Sequence, residues 1–79
     1  SGRSKMKAGN IVKISAKGLN QLTKATRSLL ENEIGLVVES EYEYASKVIN
    51  GEKAHASLVC FPSQEGDLMF FPDEVDVIS

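Results

Sequence analysis

A mainly β domain, built as a small antiparallel barrel of five strands with one amphipathic helix, is what this sequence predicts. Three observations lead there: short β-branched runs that alternate in polarity, the pair Asn50-Gly51 between two such runs, and Pro62 and Pro72 standing where further strands would end. Seventy-nine residues with 42% hydrophobic content supply one core and leave no room for a second domain.

Residues 10–15 form the first expected strand, with Val12 and Ile14 on one face and Ile11 and Lys13 on the other. Gly18 interrupts, and from Leu19 the spacing turns helical. Leu22, Thr26, Leu29 and Leu30 share one stripe while Lys24, Arg27 and Glu31 face away. This predicts a single helix over 20–31, with Asn20 as N-cap and Asn32 as a left-handed residue beyond its end. Residues 34–40 are the next strand, with Leu36 and Val38 opposed to Val37 and Glu39. Glu41-Tyr42-Glu43-Tyr44 then alternates acid with aromatic, so an extended chain puts both tyrosines on one face and both glutamates on the other. Asn50-Gly51 tolerates the two positive φ angles of a type I′ turn and predicts a hairpin of 45–49 with 52–61. Pro62 closes that strand, Glu65-Gly66-Asp67 turns the chain, 68–71 is extended, Pro72-Asp73-Glu74 makes one turn, and 75–78 is the final strand.

Short strands joined by tight turns suit an SH3-like barrel, which closes on itself and leaves no strand border exposed, here over 6–79 with the helix between strands one and two. Ser1 to Lys5 reads as an expression remnant ahead of a natural start at Met6. An opening with Met6, Lys7, Gly9 and Val12, the run Gly35-Leu36-Val37-Val38, and a closing Phe71-Pro72-Asp73-Glu74-Val75-Asp76-Val77-Ile78 resemble the short SH3-like barrel proteins encoded by tailed phages, particularly phages of marine cyanobacteria. The resemblance spans most of 6–79. That group is largely uncharacterised, so it implies a fold, a phage origin and a host-cytoplasmic location, but no activity. The helix, where many such barrels have a loop, and the absence of tryptophan are departures, so no ligand-binding face is carried over.

The charges are segregated. Residues 1–30 hold seven Lys/Arg and no acid, and 31–79 hold eleven Asp/Glu against Lys47 and Lys53, so a net charge of −2 conceals a +7 and a −9 segment. Cys60 alone forms no internal disulfide, which favours a reducing, cytoplasmic setting, and no apolar run reaches the length of about 18 residues needed to cross a membrane. Neither His55 nor Cys60 has a sequence-near partner for catalysis or metal binding, and no phosphate loop, nucleophile elbow or zinc helix occurs. No cofactor, metal or enzymatic activity is expected.

Two candidate surfaces remain. Tyr42, Tyr44, Glu41 and Glu43, with Phe70 as the outward ring of the Phe70-Phe71 pair, would form an aromatic and acidic protein interface. Lys13, Lys17, Lys24 and Arg27 would form a basic face able to meet RNA or DNA phosphates, although the pI near 5.3 weighs against a dedicated nucleic-acid binder. The reading preferred is a protein-binding module, including a phage-encoded modulator of a host protein, with a nucleic-acid accessory module second.

Overall fold

The computed structural model describes residues 6–78, so the expectation about Ser1 to Lys5 lies outside the described residues. Five strands, β1 (Ile11–Ile14), β2 (Ile34–Ile49), β3 (Glu52–Cys60), β4 (Leu68–Phe70) and β5 (Val75–Val77), form one antiparallel sheet in the order β4-β3-β2-β1-β5. Two helices, α1 (Ala16–Asn20) and α2 (Lys24–Leu30), connect β1 to β2, and a single 3₁₀ turn, Pro72–Glu74, precedes β5. The sheet is open, with β4 and β5 as its edges, which corrects the expectation of a closed barrel. Each edge strand is only three residues long, which limits the border left unpaired.

The helical segment also departs from expectation. In place of one helix over 20–31 there are two, because two hydroxyl side chains offer competing caps. Ser15 Oγ accepts from the Gly18 N–H at 3.3 Å and Thr23 Oγ1 from the Thr26 N–H at 3.2 Å. Thr23 is extended (φ −65°, ψ 159°), and that breaks the helix ahead of it. Asn20 therefore ends α1 and caps nothing, and Asn32 is not left-handed, since Glu41 and Asn50 are the non-glycine positions with positive φ among the described residues. Arg27 fastens the break by donating from Nε to the Leu19 carbonyl at 3.1 Å and from Nη2 to the Leu22 carbonyl at 3.4 Å.

β2 joins into one strand what the sequence divided at the tyrosines. It is longer than its partner can match. From Val37 to Ser46, β2 advances nine positions while β3 advances four, from Val59 to His55, and the surplus is taken up in three irregularities after Val37, Glu39 and Tyr42. Bulges of this kind bend a strand and increase its twist. Glu41, at φ 53°, sits inside the bulged stretch. Beyond it the hairpin is regular, and its turn is as expected: Asn50 has φ 52° and Gly51 φ 83°, the two positive angles of a type I′ turn.

The inner face of the sheet and α2 enclose Val12, Ile14, Leu30, Val37, Val59, Phe61, Phe70 and Val75, with Met6 completing the cluster. Phe61 and Phe70 meet edge to face, centroids 6.0 Å apart, a favoured aromatic arrangement. α1 lies directly on the 3₁₀ turn, and a Cβ at Gly18 would run into the Glu74 carbonyl oxygen, so no larger residue fits without parting the two segments. The Ser15 N–H donates to that same carbonyl at 2.9 Å.

Two substitutions check these assignments. Gly51→Val forces a β-branched residue into positive φ and should lower stability by about 1 kcal/mol or more in denaturant melts; a parental midpoint would refute the turn. Gly18→Ala would stabilise an ordinary helix by about 1 kcal/mol. Here the backbone clash should dominate and the variant should lose roughly 1–3 kcal/mol, as overpacked sites do; any gain would refute the close approach.

Candidate functional site

Among the described residues, several charged side chains converge around the 3₁₀ turn. The buried Glu74 carboxylate accepts the Phe71 N–H at 2.8 Å through Oε1, closing the turn on itself. Asp73 pairs with Lys17 of α1, and Lys47 of β2 reaches Asp73 Oδ1 at 3.7 Å and Glu74 Oε2 at 4.0 Å. The same Lys47 ammonium stands 4.5 Å from the centre of the Phe71 ring, within cation–π range. Burial pushes the Asp73 carboxyl up, yet the Lys17 hydrogen bond, with the charges of Lys47 and Lys17, outweighs it and holds the pKa below the usual value. Asp73 Oδ1 is enclosed without a hydrogen bond of its own, which leaves Lys47 as its nearest compensation. These contacts explain how α1, the outer half of β2 and β5 are held together. Among the described residues no group of three His, Cys, Asp or Glu could hold a metal ion.

The tyrosine segment falls on the bulged part of β2. Tyr42 and Tyr44 share a face and touch edge to face, centroids 5.3 Å apart at 66°. Tyr42 is half-buried, lying opposite Ala56, whereas Tyr44 is 78% exposed. Glu41 and Glu43 are both exposed. Phe70 does not join them. It is 4% exposed and packed on Phe61, because inner positions of β4 carry Leu68 and Phe70 while Met69 points outward. Phe71, the other ring of the pair, is half-buried under Lys47.

The basic candidates divide. Lys13 on β1 and Lys24 on α2 are exposed, but Lys17 is engaged by Asp73, and Arg27 spends its guanidinium on the carbonyls of α1 and the following turn. Lys13 also stands opposite Asp76 in the β1–β5 register, so the four do not make an unbroken positive face.

A feature that the sequence reading missed is on the outer side of the sheet. Ile34, Leu36 and Val38 of β2 are 53%, 43% and 41% exposed, and Met69 of β4 is 53% exposed. Registers put Ile11, Leu36 and Cys60 in one cross-strand row, with Leu58 and Met69 in the next. The signal was available: 34–38 is apolar without alternation, as strands covered on both faces are.

A comparison with known proteins finds no matching family model, no matching curated protein and no matching solved structure. No helix among the described residues is long and apolar enough to cross a membrane.

The lowered Asp73 pKa has a definite pH signature. A carboxyl whose folded pKa lies below its unfolded value of about 3.9 contributes stability that is present above that pH and lost as pH falls through the folded value. Because Lys17 is 58% exposed, the contribution is about 1 kcal/mol or less. Asp73→Asn should therefore lower the neutral-pH melting temperature slightly and flatten the fall in stability below pH about 4. An acid limb as steep as the parent's would show that Asp73 is not a linked group.

Proposed function

We propose that this chain is a small non-enzymatic binding module whose partner is another protein, and that it belongs with the SH3-like barrel proteins of tailed phages as a modulator of a host protein in the host cytoplasm. The antiparallel meander whose last strand returns beside the first, after a single 3₁₀ turn, supports the SH3-like part of this reading. The observation that carries the protein-binding part is Tyr44, 78% exposed and braced by Tyr42, on a bulged strand flanked by Glu41 and Glu43. Tyrosine supplies a large contact area with little rotamer entropy to lose, and bulges commonly aim side chains at sites of function. The acidic flanks call for basic residues at the partner's rim. A nucleic-acid role draws less support, because Lys17 and Arg27 are committed within the fold and Asp76 adjoins Lys13.

The test is affinity purification from producing cells, with and without nuclease. A protein partner should survive nuclease and be lost from Tyr44→Ser, while the melting temperature moves by a few degrees at most, because Tyr44 is 78% exposed and contributes little to the buried core. A partner retained by that variant would overturn the tyrosine assignment. In parallel, Lys24→Glu, on α2 and away from the tyrosines, should leave the protein partner in place. Salt-sensitive binding to mixed RNA and DNA pools that disappears in this variant would favour the nucleic-acid reading instead.

A further inference from the structure

We infer that the outer face of the sheet is the bed on which the partner lies, and that its occupant is a basic amphipathic helix of another protein. The inference rests on the protein-binding reading above and names both the partner's chemistry and the surface it covers.

The face is ordered in cross-strand rows. One row runs Asp76, Lys13, Ile34 across β5, β1 and β2, and the next runs Ile11, Leu36, Cys60 across β1, β2 and β3. Ile78 extends the second row by the same register, its N–H donating to the Ile11 carbonyl at 2.7 Å. The third row holds Glu39, Leu58 and Met69, with Val38 as the extra residue of the first bulge. Tyr42 follows, paired with Ala56, which shares the face of Leu58 and is fully buried outside the main core cluster. Tyr42 is thus at one end of a largely apolar face whose charged members are Asp76, Lys13 and Glu39. Ile34, Leu36, Val38, Met69 and Ile78 are each between 41% and 53% exposed on it. A patch of this kind marks an interaction site more often than chance exposure.

Its dimensions suit a helix. Three rows about 7 Å apart across strands about 4.8 Å apart span roughly 15–20 Å each way, the length of about three helical turns. Charge selects the sign of the occupant. Glu39 lies in the third row, and Glu41 and Glu43 flank Tyr42 along the chain just beyond it; all three are exposed, and among the described residues none of them takes part in an ion pair. The opposite end offers Lys13 beside Asp76, which nearly cancel. A second copy turned about a two-fold axis would bring either this neutral end or another acidic end onto the glutamates, so the chain does not complement itself. A helix with a leucine-like stripe and lysine or arginine toward the glutamates complements both parts of the surface, as in other helix-on-surface recognition.

The probe is an 18-residue Leu/Lys amphipathic peptide, with a Leu/Glu peptide of the same pattern as control. Binding to the full chain is followed by fluorescence anisotropy at physiological salt, and occupancy by the alkylation rate of Cys60, which is exposed in the second row. The Leu/Lys peptide should bind and slow Cys60 alkylation, and the Leu/Glu peptide should do neither. Leu36→Ser/Met69→Ser should weaken binding by about tenfold or more, and Glu39→Gln/Glu41→Gln/Glu43→Gln by several-fold with a shallower salt dependence. Should Leu36→Ser unfold the domain, Ile34→Ser/Met69→Ser at more exposed positions replaces it. Peptide binding that ignores both apolar variants, or that leaves Cys60 reactive, would reduce the effect to charge attraction and overturn the inference. So would concentration-dependent dimerisation that protects Cys60, which would make a second copy the occupant. A natural partner lost from the tyrosine variant but kept by Leu36→Ser/Met69→Ser would overturn this bed while leaving the protein-binding reading intact.

Discussion

Much of this small fold depends on one turn of backbone, Pro72–Glu74, and on the two carboxylates it carries. Through the Glu74 carbonyl it receives the Ser15 N–H and lies against Gly18; through Asp73 it holds Lys17 of α1 and Lys47 of β2; through its own Glu74 side chain it fixes the Phe71 N–H. Three parts of the chain with no direct strand pairing in common meet there. A buried carboxylate is costly unless hydrogen-bonded and compensated, and Glu74 has both a backbone donor and the Lys47 ammonium nearby. The arrangement makes the turn a fixed point rather than a loop, and it delivers β5 to the free side of β1.

The elements of the described residues cover the two faces of the open sheet unequally. α2 and the curling of β2 cover the inner side, where Leu30 and Phe61 are fully buried. Among the described residues no element covers the outer side, yet the sequence places isoleucine, leucine, valine and methionine there. Solvation alone would favour polar residues at those positions. The contrast between the two sides therefore carries more functional information than the overall composition, which is ordinary for a globular domain.

Local chemistry was legible wherever it acts over two to four residues. Asn50-Gly51 announced its turn, Pro72 its 3₁₀ turn, and the alternation of Ile11 to Ile14 its inner and outer faces. Where a longer pattern competed with a short cap, the pattern misled: the leucine stripe suggested one helix, but Ser15 and Thr23 each capped a separate one. The length of β2 was not legible, because the surplus against β3 is a property of the pair and appears in neither segment alone. In the candidate site, the contact between Tyr42 and Tyr44 followed from their spacing, while the inward turn of Phe70 followed from which residue of β4 faces Phe61, a tertiary choice. The ties of Lys17 and Arg27 to distant groups were likewise beyond a linear reading.

The pairing of β1 with β5 brings opposite ends of the sequence side by side, whereas β2 and β3 are neighbours across a two-residue turn. Closing the larger loop costs more chain entropy than closing the smaller, though the cost grows only slowly with length. Assembly should accordingly begin at the hairpin and finish at the first and last strands, with the 3₁₀ turn docking as the sheet completes. Cutting the chain at Asn50-Gly51 and joining its ends would invert this order: the slow long-range contact becomes local and the quick hairpin becomes remote. The same native sheet would then be reached by a different route.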